Sequence, residues 1–228
     1  MTENIKIRSI NVGKPAQVIH NGKEVSTGIN KTPVNGAIYL SLLNFEGDGQ
    51  ADHVHHGGED KAVCVYPFEW YAYWEQEIGT ALAFGAFGEN LTTEGMVEDD
   101  ICIGDIFELG EALVQVSQPR QPCFKLAVKY GVPDLPLKVQ QIGYTGYYLR
   151  VLREGLVSSE DRLILSHRHP ARVTLTFANQ IMHKDKDNMD GVSHILEVTE
   201  LSDSWRQTLA KRLNGGQTPT KERLTGDK

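Results

Sequence analysis

One cysteine stands in a setting suited to thiolate chemistry. Cys123 follows Arg120 by three residues and precedes Lys125 by two, within the segment 117–126. The thiolate is the form of cysteine that attacks electrophiles and ligates metals, and nearby cations favour it. Two prolines in this segment fix φ and remove backbone donors, so the segment resists regular pairing and can display the sulfur. The alternative is a small, buried, inert thiol, the ordinary state of a free cysteine.

A polar loop before a buried-looking strand concentrates glycines, acids and histidines. It spans residues 47–63 and carries three histidines within positions 53–56. This spacing matches no established zinc pattern, so a metal site here is weakly indicated. Paired glycines followed by Asp60 and Lys61 fit a backbone that approaches an anionic ligand closely, with Lys61 available to a phosphate. The alternative is a solvated polar loop.

A second turn, residues 87–95, carries Asn90 and Thr92. Such amides and hydroxyls can read the edges of a heterocycle, although they more often satisfy their own backbone. Cys64 lies in an apolar strand and Cys102 lies between two isoleucines, so both are predicted to be structural thiols. The sequence contains no Walker motif, dinucleotide fingerprint or GxSxG elbow.

Composition narrows the class of protein. The 228 residues are 40% hydrophobic and 23% charged, with a formal net charge of −7. This acidity argues against nucleic acid or an anionic membrane as the main partner. Three cysteines, an odd number, predict a reducing compartment rather than a disulfide framework. Without a signal-like N-terminus or a long apolar run, we expect a soluble cytoplasmic protein.

Short strands with glycine-rich turns dominate the chain up to about residue 165. Apolar–polar alternation or short apolar runs predict strands at 5–12, 37–40, 62–66, 103–109, 113–116 and 147–153. Asn21-Gly22 between two extended arms predicts a hairpin. Many short strands of this kind indicate a barrel or a sandwich.

Helical patterns interrupt these strands and then replace them. Residues 67–75 place Trp70, Tyr71 and Trp74 on one stripe, which is typical of a core-facing helix, and 124–130 predict a short helix. Three more helices are predicted, at 175–183, 191–198 and 203–213, with caps at Thr174, Asp190 and Ser202. We therefore expect a β domain over 1–166, a three-helix domain over 167–214 and a disordered polar tail over 215–228.

Five segments in register carry a resemblance to a known family. Residues 31–34, 47–52, 56–63, 87–91 and 118–123 resemble motifs of the MOSC domain, the module at the C-terminus of molybdenum-cofactor sulfurases. The sequence is most similar to small bacterial MOSC proteins with an appended three-helix domain. Those proteins are linked to molybdenum-cofactor-dependent resistance to N-hydroxylated base analogues such as 6-hydroxylaminopurine.

The resemblance implies a fold and a set of site residues. The fold would be mainly β, a MOSC-type β-barrel with a few short helices, followed by the small three-helix domain. Cys123 would project into a cleft as the ligand of molybdenum in a pterin cofactor. Three cations would neutralise the cofactor's phosphate and dithiolene charge, and three further residues would shape the pocket; these are Arg120, Lys31 and Lys61, and Asn90, Glu89 and Asp60.

The activity that the resemblance implies is reduction of N-hydroxylated compounds at the molybdenum cofactor (molybdopterin). The sequence holds no flavin, nicotinamide or iron–sulfur motif, so the electrons would come from a separate reductase. Two alternatives stay open. Cys123 can instead carry a persulfide for delivery to a metal–sulfur centre, or the protein can store and deliver the cofactor without turnover.

Overall fold

Seven strands close into a β-barrel in this computed structural model, which describes residues 5–20, 22–51 and 57–227. The described residues form twelve strands, of which seven make the barrel: β1 (Ile5–Val12), β2 (Ala16–His20), β3 (Lys23–Thr27), β4 (Thr32–Pro33), β5 (Ile38–Leu40), β6 (Val63–Pro67), β7 (Leu91–Glu94), β8 (Ile106–Leu109), β9 (Ala112–Pro119), β10 (Tyr147–Arg153), β11 (Gly155–Val157) and β12 (Arg162–His167). The barrel order is β12-β8-β9-β10-β6-β7-β1, and β1 pairs with β12 to close it. The predicted β domain is therefore a barrel, and the sandwich is excluded.

Strand β1 shows how the sequence selects the inner face. Ile5 and Ile7 are buried while Lys6 and Arg8 are exposed, as alternation along a strand requires. The register against β7 shifts between Ile7 and Ser9, where the strand bulges. A bulge moves the following side chains to the other face and increases the local twist. After the bulge Ile10 takes the inward position in the core with Ile5 and Ile7, and Ser9 and Asn11 are buried on the opposite face.

The antiparallel pairing of the two arms confirms the hairpin predicted at Asn21-Gly22. Strands β2 and β3 pair antiparallel, with His20 opposite Lys23. Gly22 has a φ of 74°, the left-handed conformation that such a turn needs and glycine supplies without strain.

Helices pack beside the barrel around a second apolar cluster. They are α1 (Tyr71–Ile78), after a 3₁₀ turn at Phe68–Trp70, α2 (Lys125–Tyr130) and α3 (Leu135–Ile142). Tyr71 and Trp74 are buried in this cluster, which confirms that most of the aromatic stripe is core. Trp70 is partly exposed and stacks on Tyr144, with ring centroids 3.6 Å apart.

Three helices follow the barrel: α4 (Leu175–His183), α5 (Met189–Leu196) and α6 (Asp203–Leu213). Thr174 and Ser202 cap α4 and α6 as predicted. Helix α5 starts earlier than predicted, because Asn188 and not Asp190 accepts the backbone N–H of Gly191, at 2.8 Å. The apolar faces of all three helices join the core cluster of the barrel.

The tail differs from its sequence prediction. Residues Lys221–Thr225 form a short helix, α7, where the polar composition predicts disorder. The helix is held by contacts of Arg223 with distant residues, which composition alone does not reveal. Within the residues that the structure describes, no helix has the length and apolar character that crossing a membrane requires.

Candidate functional site

A cleft against strands β6 and β10, which contribute Cys64 and Tyr148 to its wall, contains Cys123. It spans about 570 Å³ of space between protein atoms, part of which is open solvent. Its walls include Lys31, Asp48, Gln50, Lys61, Cys64, Asn90, Arg120, Cys123, Lys125 and Tyr148. Among the described residues that line it, four are cationic and Asp48 is the single acid. An acidic protein thus presents a locally positive cleft, a setting that favours an anionic ligand.

Cys123 lies on the irregular link between β9 and α2. The link leaves the barrel where the backbone N–H of Arg120 donates to the carbonyl of Gly146 at 2.9 Å. It enters α2 through a bond from the N–H of Leu126 to the Cys123 carbonyl, at 3.1 Å. The thiol is free and the residue is 6% exposed. The sulfur is therefore shielded from bulk water and borders the cleft.

Arg120 is a buried cation with spare hydrogen-bonding capacity. Its Nη1 has no hydrogen-bond partner among the described groups. Burial lowers the pKa of Arg120, but Cys64, Tyr148 and Cys123 raise it, and the balance lies above the usual value. A permanently charged guanidinium with an unsatisfied buried donor is costly unless a ligand completes it. An anion in the cleft would do so.

Lys31 belongs to a buried polar network in the cleft wall. Its Nζ forms an ion pair with Oδ1 of Asp48. Asn90 donates through Nδ2 to the other carboxylate oxygen at 2.8 Å, and its Oδ1 accepts the backbone N–H of Cys64 at 3.1 Å. The network fixes Lys31 and Asn90 at the cleft, with part of the lysine charge already balanced by Asp48.

Lys61 and Lys125 complete the positive wall. Lys61 ends a 3₁₀ turn, Glu59–Lys61, and is buried, and its carbonyl accepts a hydrogen bond from Gln50 at 3.3 Å. Lys125 begins α2, directly after Phe124. Both side chains border the same cleft as Cys123.

Glu89 lies behind the cleft and not in it. The side chain is fully buried and accepts hydrogen bonds from the hydroxyls of Tyr71 and Thr92 and the backbone N–H groups of Gly85 and Phe87. The turn held in this way supplies Phe87 and Gly88 to the cleft wall. Glu89 therefore shapes the pocket indirectly.

Asp60 lies outside the cleft lining, unlike the pocket role predicted for it. Its carboxylate accepts from Nε of Arg150 at 3.0 Å and from the backbone N–H of Asp203 at 3.0 Å. Its carbonyl accepts from the hydroxyl of Ser117. Asp203 is the first residue of α6, so Asp60 ties the barrel to the helical domain.

Comparison with known proteins agrees with this architecture. The MOSC domain model matches residues 52–164, and the model of the YiiM-like, 3-alpha helix domain matches residues 173–216. A relative, protein YiiM of Escherichia coli (strain K12), is 38% identical over 215 residues, covering 93% of this chain and 91% of that protein. The chain belongs to the MOSC family.

Other relatives cover the chain to different extents. Protein YflK of Bacillus subtilis (strain 168) is 51% identical, covering 92% of this chain and 95% of that protein. The crystal structure of YiiM from Geobacillus stearothermophilus matches with a TM-score of 0.80 and 43% identity, covering 92% of this chain and all of that chain. A protein named reductase from Gibberella moniliformis (strain M3125 / FGSC 7600) is 35% identical over 64% of this chain, which covers 27% of that longer protein.

The MOSC family is associated with the molybdenum cofactor, and the residues present fit that group. A soft thiolate suits molybdenum. The unsatisfied donor of Arg120 and the surplus of cations suit the phosphate and dithiolene charges.

Two residues at the site escaped sequence reasoning. Tyr148 lines the cleft from β10, and burial raises its pKa, so the phenol keeps its proton at neutral pH. Arg223 contacts the cysteine-bearing link from the tail. Tyr148 lies in a predicted strand without any sign of the face it occupies, and Arg223 lies in a segment with no motif.

The three histidines at 53–56 lie outside the described residues. Among the residues that are described, no group of three or more histidine, cysteine or acidic side chains is arranged to hold a metal ion. The weak metal signal of that loop stays a prediction.

Proposed function

We propose that the cleft binds a molybdenum–pterin cofactor through Cys123 and that the protein reduces N-hydroxylated small molecules, base analogues among them. The observation that carries this proposal is the pairing of a shielded thiol with buried Arg120, whose Nη1 lacks a partner among the described groups, in one net-positive cleft. Membership of the MOSC family supports the choice of cofactor. The relative named reductase supports the class of activity.

Each residue has a defined task in this proposal. Cys123 ligates the metal as thiolate, and Arg120 donates to the anionic part of the cofactor. Lys61 and Lys125 add positive charge, while Asp48 holds Lys31 and Asn90 in place. When bound, the cofactor supplies two-electron redox chemistry, and the protein supplies position and electrostatics.

The protonated phenol of Tyr148 gives the cleft a neutral donor. Burial raises the pKa of this group and keeps it protonated, so it can donate a hydrogen bond to a polar atom of a bound substrate. The sequence has no flavin or nicotinamide fingerprint. The electrons are therefore assigned to a separate reductase, and small-molecule substrate and reductase are the two partners that the proposal requires.

The decisive experiment measures metal content and pterin fluorescence after expression in a host that makes the molybdenum cofactor. Wild type is compared with Cys123→Ala and with Cys102→Ser, a control change at a cysteine away from the cleft. We expect near-stoichiometric molybdenum in wild type and Cys102→Ser, its loss in Cys123→Ala, and reduction of 6-hydroxylaminopurine by loaded protein with a chemical reductant. Molybdenum retained by Cys123→Ala contradicts the ligand assignment, and bound cofactor without turnover favours storage or delivery.

A sulfur-carrier role is the second candidate, favoured by one observation. Cys123 is a free thiol beside Arg120, which is a suitable environment for a persulfide without any metal. Mass spectrometry of protein purified without reductant would then find one added sulfur on Cys123. Absence of that adduct in protein that contains pterin rules against this role.

A further inference from the structure

The tail contacts the backbone on both sides of Cys123. Nη1 of Arg223 donates to the carbonyl of Pro122, the residue before the cysteine. The backbone N–H of Phe124, the residue after it, donates to the carbonyl of Arg223 at 2.8 Å. One residue from the distant C-terminal tail thus holds the link that carries the thiol.

Further contacts anchor Arg223 itself. Its Nη2 donates to Oε1 of Gln140 on α3 at 2.6 Å. Gly226, which ends α7, lies so close to the ring of Phe124 that an added Cβ would stand 3.0 Å from it. Helix α7 is therefore fixed between α3 and the cysteine-bearing link.

The guanidinium of Arg223 donates to two neutral oxygens beside the cysteine-bearing link, the Pro122 carbonyl and the Gln140 side-chain amide. Burial lowers the pKa of Arg223, and its interaction with Cys123 opposes this effect. No ion pair joins Arg223 to an acid within the part of the chain that the structure describes. The guanidinium therefore adds positive potential to that of Arg120 at the thiol end of the cleft.

We propose that Arg223 is a positioning residue of the cysteine site: from the C-terminal tail it holds the link that carries Cys123 and adds positive charge near the thiol. Arg223 lies beyond both matched family ranges, 52–164 and 173–216. Its role in holding a cofactor rests on the proposed function, whereas its effect on the thiol does not.

The test measures local charge at Cys123 with two alkylating reagents of similar size. Protein made in a host without the molybdenum cofactor reacts with anionic iodoacetate or with neutral iodoacetamide, and mass spectrometry of the Cys123 peptide gives both rate constants. A cation near the sulfur speeds the anionic reagent relative to the neutral one. The rate ratio therefore reports charge separately from accessibility.

We expect Arg223→Gln to lower the iodoacetate-to-iodoacetamide ratio about three- to sixfold, the effect of one charge several ångströms away in a partly aqueous setting. Arg223→Lys keeps the charge and should retain most of the ratio. Lys221→Gln, the same charge change at an exposed position of α7, should leave it unchanged. A chain that ends at Gly216 should behave like Arg223→Gln and react faster with both reagents.

A ratio equal to that of wild type in Arg223→Gln and in the shortened chain overturns the inference, whatever the separate rates do. Circular dichroism and a thermal scan of each variant show whether the fold is kept. The cofactor arm uses protein from a competent host, where Arg223→Gln should retain less molybdenum than Lys221→Gln. If wild type binds no molybdenum but the ratio still falls, the proposed function fails and the role of Arg223 at the thiol stands.

Discussion

The three cysteines show how far the surroundings of a residue, and not its type, decide its chemistry. Cys64 lies in a barrel strand, where burial raises the pKa of its thiol to about 11. Burial also raises the pKa of Cys102. Cys123 lies on an irregular link and interacts with Arg120 and Arg223. A proton-bearing Cys64 in the same cleft does not compete with Cys123 for an electrophile or a soft metal.

Alkylation should therefore select Cys123. At pH 7.5 we expect iodoacetamide to modify this residue at least about tenfold faster than Cys64, since a pKa of about 11 leaves only a minute thiolate fraction at Cys64. Peptide mass spectrometry over a time course measures the two rates. Comparable rates at the two cysteines would show that burial does not suppress the thiolate of Cys64.

The burial of Arg120 should lower the stability of the fold while serving the bound cofactor. A buried cation with an unsatisfied donor costs folding free energy, whereas methionine of similar length fills the space without a charge. We expect Arg120→Met to keep the free energy of unfolding or raise it by about 1 kcal/mol, while molybdenum retention is lost. Urea denaturation and metal analysis check the two halves. A loss of stability above about 2 kcal/mol would mean that Arg120 serves the fold instead of a ligand.

At the scale of elements, local sequence patterns predict the bounds of several strands and helices but not which distant elements pair with one another. Strand β1 and helices α4 and α6 have the bounds that alternation and caps predict, because those signals lie within the segment itself. The closing pair of the barrel joins Ile5 to Leu163, and no local pattern specifies such a contact. Helix α3 was not predicted, and α7 was predicted as disordered.

At the candidate site, too, the motifs predict which residues come together but not the role of each. The structure brings Lys31, Lys61, Asn90 and Arg120 to the cleft of Cys123, as the family motifs implied. The motif positions before Lys61 and Asn90 hold two acids, Asp60 and Glu89, that bind structural partners instead of lining the cleft. A motif identifies the residue types that a fold needs and does not separate a ligand contact from a structural one.

Glu89 should be a structural residue of the turn that lines the cleft. The carboxylate of Glu89 accepts four hydrogen bonds. In Glu89→Gln the side-chain NH₂ group replaces one accepting oxygen, so it would face hydrogen-bond donors without an acceptor. We expect this substitution to lower the free energy of unfolding by about 2–3 kcal/mol. Tyr71→Phe, which removes a single donor, should cost less. Urea denaturation of both variants tests this order, and an equal or smaller loss for Glu89→Gln would contradict it.

At the scale of the whole molecule, barrel and helical domain form one packed body. Leu175, Ile195 and Trp205 of the three helices belong to the same core cluster as strands β1 and β8 of the barrel. This shared core means that the two domains should unfold together, and that a charge buried at their junction should affect the stability of both.

Glu98 is a buried acid at that junction. It accepts hydrogen bonds from Nε1 of Trp70 and from the backbone N–H of Gly146, both at 2.8 Å. Its own carbonyl accepts the N–H of Thr176 on α4. Ionisation of Glu98 therefore places a charge at the contact between the two domains.

Burial raises the pKa of Glu98 from 4.5 to about 7, which sets the direction of its pH effect. The folded state binds the proton more tightly than the unfolded state, so this stabilisation is complete below about pH 4.5 and is lost as pH rises through 7. The stabilisation by the Glu98 proton is about 3 kcal/mol for a shift of this order.

His183 has the opposite pH dependence. Burial and nearby cations lower its pKa to about 3, so the stabilisation that it contributes is lost as pH falls below 6.5.

Comparison of wild type with Glu98→Gln isolates the Glu98 effect, since His183 is present in both proteins. The glutamine loses one hydrogen bond at every pH, so the informative quantity is the difference in the free energy of unfolding between the two proteins as pH changes. We expect wild type to lose about 2–3 kcal/mol relative to Glu98→Gln between about pH 4.5 and 8. Urea denaturation across that range measures it. Parallel pH profiles for the two proteins would show that Glu98 titrates normally and that the junction tolerates its charge.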